Sequence, residues 1–343
     1  MRSKENPTRL QWVDALRILA AFAVVVVHVS APIVLQTDLG SIQWWIGNVV
    51  DSSVRWCVPV FVLISGALLL DPAKEENFLI FYQKRAGKLL VPLVFWSSVY
   101  FAFRYCLGEA LTTKRIARDI VAGRPYYHLW YLYMVAGLYI FTPFLRTYVR
   151  ASSPKERSLL ITLTLLLSSL FSFLSYFYLE GQETILTLFI PYIGYYLCGY
   201  QIRSMKEVKT SSRSLLTLIL ISLALISLGT FYLVDLYGLD KGLFLYDFVS
   251  PPVVLMSVAL FSLVRKMNFP GFLEGAIRQV APTALGIYVI HPIVINRLGM
   301  IGLSSTSFTP LLSIPLVSMA AFVLSCLATL VMSHIPYVRK TVS

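Results

Sequence analysis

The chain has 343 residues, 57% of them apolar and only 13% charged. Soluble domains carry about 45–50% apolar and about 25% charged residues, so this composition excludes a soluble enzyme, a disordered chain and a disulfide-stapled secreted module. The net charge of +12 would suggest nucleic acid in a soluble protein; in a chain this apolar it belongs to positively charged cytoplasmic loops, and no nucleic-acid partner is expected.

Ten apolar runs follow in order, at roughly 16–35, 46–70, 89–106, 128–145, 158–179, 184–202, 214–234, 243–264, 281–301 and 311–333. Lipid leaves no partner for an open backbone, so each run is expected to be a helix. The predicted fold is all-α: a single-domain polytopic bundle (1–343) of about ten transmembrane helices. Pro59, Pro143, Pro191, Pro292 and Pro315 fall inside the runs and predict kinks or broken segments. The first run mimics a signal peptide: Arg2, Lys4 and Arg9 precede it, and Val29-Ser30-Ala31 resembles a cleavage site. Pro32 and the charges at Asp14 and Arg17 favour an uncleaved first helix.

With the N-terminus inside, 20 Lys and Arg fall on the cytoplasmic side and 5 on the other. This asymmetry predicts that both termini are cytoplasmic. The loop 107–127 breaks the pattern with Lys114, Arg115, Arg118 and Arg124. A short amphipathic helix over 112–121 would gather its basic residues on one face, for lipid headgroups or for an anionic acceptor. The four cysteines, Cys57, Cys106, Cys198 and Cys326, lie in apolar stretches without metal-ligand spacing.

Ionisable groups inside a span are costly and mark function. Asp14, Arg17 and His28 share one stripe of the first helix, since Arg17 and His28 lie about 20° from coincidence after three turns and about 16 Å apart along the axis. Imidazole is the natural general base near neutral pH. His128 and Trp130 read either as part of an aromatic belt or as a sugar-stacking platform. His291, followed by Pro292, reads equally as structural or catalytic. Ser65-Gly66 reads as a close-packing position.

The pattern Asp14-x-x-Arg17-x10-His28 resembles the first-helix signature of the membrane acyltransferase-3 family. Phe61-Val-Leu-Ile-Ser65-Gly66 resembles that family's second-helix segment. Lys84-Arg85-Ala-Gly-Lys88, followed by Pro92, resembles its Arg-x-x-Arg element with lysine at the second position. Tyr127-His128-Leu-Trp130 and Leu285-Gly286-Ile-Tyr288-Val-Ile-His291 resemble later blocks. The block spacing is most similar to that of short members that O-acetylate cell-surface glycans such as enterobacterial common antigen.

The resemblance implies an integral-membrane O-acyltransferase of the bacterial inner membrane. It would carry no permanent cofactor and move an acetyl group from acetyl-CoA (acyl-CoA) to a hydroxyl of a cell-surface glycan or lipid-linked saccharide. It implies His28, Arg17 and Asp14 as catalytic, and Arg17, Lys84, Arg85 and Lys88 as partners of the coenzyme phosphates. The acceptor side would draw on His128, Trp130, Arg115, Arg118 and His291. His28 would act as base or as an acyl-histidine nucleophile. Other readings are a carrier or flippase for a lipid-linked saccharide, suited by proline-broken helices, and a structural subunit of a glycan-export complex.

Overall fold

A computed structural model describes residues 10–74, 76–178 and 184–342. Arg2, Lys4 and Arg9 of the basic leader lie outside them. The described residues hold thirteen α-helices and no strand. In chain order these are α1 Gln11–Gln36, α2 Ile42–Val54, α3 Cys57–Leu69, α4 Phe78–Cys106, α5 Thr113–Val121, α6 Trp130–Ala151, α7 Pro154–Phe177, α8 Ile193–Ser204, α9 Ser212–Gly242, α10 Pro251–Arg265, α11 Gly271–Val280, α12 Ala284–Met300 and α13 Pro310–His334.

Eight stretches among the described residues are long and apolar enough to cross a membrane. The expected ten runs all carry helix, but three take another form. Run 243–264 becomes the 15-residue α10, which packs back on α9 after the chain turns at Gly238 (φ 76°). Run 184–202 becomes the 12-residue α8 after a 3-10 turn at Ile190–Tyr192. Run 46–70 is also split. Pro59 has no N–H for the carbonyl of Arg55 four residues back, and the helix breaks between Val54 and Cys57.

Polar caps sit where the apolar runs begin. Ser41 caps α2, Asn77 caps α4, Ser211 caps α9, and Ser153 with Glu156 closes a capping box on α7 behind Pro154. Each supplies an acceptor to amide groups that the first turn leaves unpaired. Pro32, Pro92, Pro143, Pro292 and Pro315 are carried inside continuous helices.

The central element is α1. Leu16, Ala20 and Val24 pack into one cluster with α3 and α4, while Ala21, Val25 and Ile33 pack into another with α12 and α13. α7 and α9 lie at the periphery and expose Leu163, Leu166, Leu170, Leu220 and Leu228, as a lipid-facing surface requires.

The arginines at the end of the bundle where α1 starts have a structural task that composition does not reveal. Arg146 and Arg203 donate to the last carbonyls of α3, at Leu69 and Ala67. Arg157 donates to Val149 and Ser152 at the end of α6, and Arg265 to Ile202 at the end of α8. Helix C-termini carry unpaired carbonyls and partial negative charge, and a guanidinium answers both.

Candidate active site

α1 carries Asp14 and Arg17 into the bundle one turn apart. Arg17 Nη1 donates to Asp14 Oδ1 at 3.0 Å, and Asp14 is buried. Arg17 then lines a cavity of about 440 Å³ together with Ser65, Arg85, Lys88, Tyr131, Tyr139 and Tyr288. α1, α3, α4, α6 and α12 all contribute to it. The residues that sequence reasoning grouped as phosphate partners are thereby brought together, with one exception. Lys84 points away, 61% exposed, and pairs with Glu76 at 2.6 Å. It does not line the cavity. That bond holds the Glu76 carboxyl below its usual value. Arg85 keeps a buried Nε without a hydrogen-bond partner among the described residues, with its guanidinium 5.5 Å from the Phe81 ring.

Deeper along α1, His28 is not alone. Its ring stacks on His291 of α12, with centroids 5.1 Å apart and planes 20° apart. His128, in the turn ahead of α6, meets His291 edge-on at 5.4 Å. Tyr127 lies 4.8 Å from His28, and Tyr288 lies 5.3 Å from His128 while its hydroxyl donates to the His128 carbonyl. Three of the chain's four histidines thus share one cluster, in which His128 and His291 are buried and His28 is half-buried and lines a small cavity of about 180 Å³. His128 is 2% exposed. A place in an outer aromatic belt, which the sequence left open for it, does not fit that burial; its neighbours are the aromatic rings of the core.

The chemistry of His291 follows from Pro292. Proline at 292 cannot donate to the carbonyl of residue 288. His291 Nδ1 sits 2.7 Å from that carbonyl and 3.2 Å from the carbonyl of Ile287. A carbonyl only accepts, so Nδ1 carries the proton and the neutral ring presents Nε2 as a free lone pair. Nε2 is buried without a partner among the described residues, as are both ring nitrogens of His128. An unpaired imidazole nitrogen can take a proton from a substrate that reaches it.

Sequence reasoning missed the pair Asp51–Arg55. Asp51 is fully buried on α2; it accepts from Arg55 Nε at 2.5 Å and from Ser30 of α1 at 2.9 Å. Ser30 is two residues beyond His28, so this ion pair fixes α1 against α2 next to the cluster. An acid and a base four apart in an apolar run was the available signal.

Trp130 stacks on Phe248 and packs at a tilt against Tyr192, in a second cavity with Arg55. Arg115 and Arg118 reach neither cavity. They sit on the exposed α5, where Arg115 bonds Glu109 at 2.9 Å and Arg118 meets Asp119 at 3.4 Å. Among the described residues no group of three or more His, Cys, Asp or Glu is arranged to hold a metal ion.

The acyltransferase-3 family model, an acyltransferase domain, matches residues 10–330. The chain belongs to the acyltransferase-3 family. No curated protein and no solved structure matches it. This acyltransferase is therefore a multi-pass helical membrane protein whose family domain takes in α1, both cavities and all three clustered histidines.

Proposed function

We propose that this acyltransferase moves an acetyl group from acetyl-CoA to a hydroxyl of a cell-surface glycan or lipid-linked saccharide in the bacterial inner membrane. The observation that carries the reading is the basic cavity of Arg17, Arg85 and Lys88, which shares Tyr288 with the histidine cluster. Its mouth lies at the end of the bundle where positive charge predicts the cytoplasm, the compartment of acyl-CoA. Guanidinium and ammonium groups there suit the coenzyme phosphates, and the tyrosine wall leads the pantetheine arm inward.

At the cluster the sugar oxygen attacks the thioester carbonyl carbon. The new C–O bond forms, the C–S bond breaks, and the hydroxyl proton passes to an imidazole, His28 or Nε2 of His291. The departing thiolate takes up a proton and leaves as coenzyme A. Asp14 holds Arg17 in place. The resemblance to short glycan O-acetylating members supports the acceptor class.

The test supplies purified protein in nanodiscs with labelled acetyl-CoA and envelope glycolipid. Base-labile label in the glycolipid supports the reading. Movement of glycolipid across proteoliposomes without covalent label would replace it with a carrier.

A further inference from the structure

The second cavity measures about 420 Å³, within the roughly 300–1,000 Å³ of small-molecule sites. Part of its wall is aromatic. Trp130 packs on Phe248 with centroids 5.8 Å and planes 26° apart, and on Tyr192 at 5.8 Å. The rest carries charge of both signs: Arg55, Arg124 and Asp247. Two of these groups are pinned. Arg55 is held by the buried Asp51 and lies 4.0 Å over the Tyr246 ring. Asp247 accepts from Ser172 at 2.5 Å and from the Val249 amide at 3.1 Å. Charged groups inside a lipid-embedded bundle are costly, and these face a cavity.

The mixture selects a ligand class. An apolar acyl chain would lay hydrocarbon against the charged faces of Asp247 and Arg55 and displace water from them. A nucleotide phosphate would meet a carboxylate. A sugar ring satisfies both walls: its C–H face lies on the aromatic rings, while neighbouring hydroxyls donate to the carboxylate and accept from a guanidinium.

The cavity's place fits an acceptor. At the start of α6, Trp130 lines this cavity and Tyr131, the next residue, lines the donor cavity. His128 lies two residues before Trp130. Ser30, which shares Asp51 with Arg55, lies two residues after His28. Trp130 and Tyr131, two and three residues after His128, thus line one cavity each, and Tyr288, which meets His128, lines the first.

We infer that this second cavity binds a hexopyranose unit of the acceptor, with Trp130 as stacking platform and Asp247 and Arg55 as hydroxyl partners. The inference rests on the sugar-acceptor reading above and adds the site. A test that needs no turnover uses Ser175→Cys, at the cavity lining, in a Cys106→Ser, Cys326→Ser background. Leu243→Cys, also in the lining, serves as a second reporter.

The rate of maleimide labelling is followed in nanodiscs with millimolar methyl glycosides of glucose, galactose, mannose and N-acetylglucosamine, or with coenzyme A. At least one glycoside should slow labelling threefold or more. Trp130→Ala and Asp247→Asn should each remove that protection, and coenzyme A should give none. Absence of protection by every glycoside at both reporters, protection by coenzyme A, or protection that survives both substitutions would overturn the inference. Protection without acetyl transfer would leave the cavity standing and sink only the acetyl-transfer reading. Transfer without protection would do the reverse.

Discussion

The imidazoles of His28 and His291 lie ring over ring, 5.1 Å apart, although 263 positions separate them in the chain. α1 and α12 meet at this point, and the ring of His291 is turned by a carbonyl that Pro292 leaves free. One imidazole can take the hydroxyl proton while the other packs against its ring. His28→Ala should lower kcat/KM for acetyl transfer by about 10²–10⁴-fold, the usual cost of removing a general base. His291→Ala should fall in the same range, and the double variant should lose no more than the worse single one, because residues that act as a unit are not additive. Transfer of radiolabelled acetyl measures all three. A near wild-type rate for His28→Ala would remove it from the chemistry.

The basic cavity separates two neighbours. Arg85 lines it and Lys84 does not. Arg17→Ala and Arg85→Ala should each weaken acetyl-CoA binding by about 1.5–3 kcal/mol, roughly 10- to 100-fold, if each removes a charge-assisted phosphate contact. Lys84→Ala should leave the affinity within twofold. Isothermal titration decides, and unchanged affinity in both arginine variants returns them to a purely topological role.

The partner of Lys84 gives a pH prediction. Glu76, in the loop before α4, has its carboxyl held below the usual 4.5 by the hydrogen bond from Lys84. A carboxylate depressed in the folded state adds stability above its unfolded pKa, and that contribution fades as pH falls through the folded value. The pair is therefore intact at neutral pH and is lost only in acid below 4.5. Thermal unfolding followed from neutral pH to about pH 3 should show a larger fall for wild type than for Glu76→Gln. Equal falls would show that the pair adds nothing.

Ser65-Gly66 was legible as a packing signal, and the partner it requires was not. A Cβ on Gly66 would stand 1.8 Å from the Tyr196 carbonyl oxygen, and a Cβ on Gly199 would stand 1.9 Å from that of Leu63. α3 and α8 thus cross backbone to backbone through two glycines, a contact that small residues permit inside membranes. Gly66→Ala meets main chain that cannot swing aside. It should cost at least the roughly 1–3 kcal/mol of an overpacked core and lower both the melting temperature and the yield of monodisperse protein. An unaltered melting curve would refute the close crossing.

The sequence shows what is periodic and local. Asp14, Arg17 and His28 share a helix face because 3.6 residues make a turn, and the apolar runs show themselves as helices because lipid permits little else. The proximity of His128 and His291 to His28 depends on how three distant segments pack, and no spacing encodes that. The ion pair Asp51–Arg55 was within reach as an i, i+4 pair inside the run 46–70, but its tie to Ser30 on another helix leaves no trace in the spacing. The helix-capping arginines were hidden for the same reason: their charge was counted by side of the membrane, and a carbonyl partner on another helix leaves no trace in composition.

The loop 107–127 tests the orientation. α5, Thr113–Val121, forms where the basic residues suggested a short amphipathic helix, and buries none of its side chains. Arg104, near the end of α4, fastens it by donating to Glu109 at 3.0 Å, to Asp119 at 2.9 Å and to the Pro125 carbonyl at 2.8 Å. α4 has 29 residues, so its two ends stand about 43 Å apart, enough to cross a bilayer. Arg85 and Lys88 lie near its first turns and α5 at its far end, so α5 is held on the side opposite the basic cavity. In a cell expressing Thr113→Cys without exposed native thiols, an impermeant reagent should label from outside only. Labelling from the cytoplasm alone would invert the orientation and place the acyl-CoA cavity on the wrong side. Because Arg115 and Arg118 line neither cavity, Arg118→Ala should leave the KM for acyl-CoA and for the acceptor within twofold. A selective rise in acceptor KM would give α5 a part in acceptor capture.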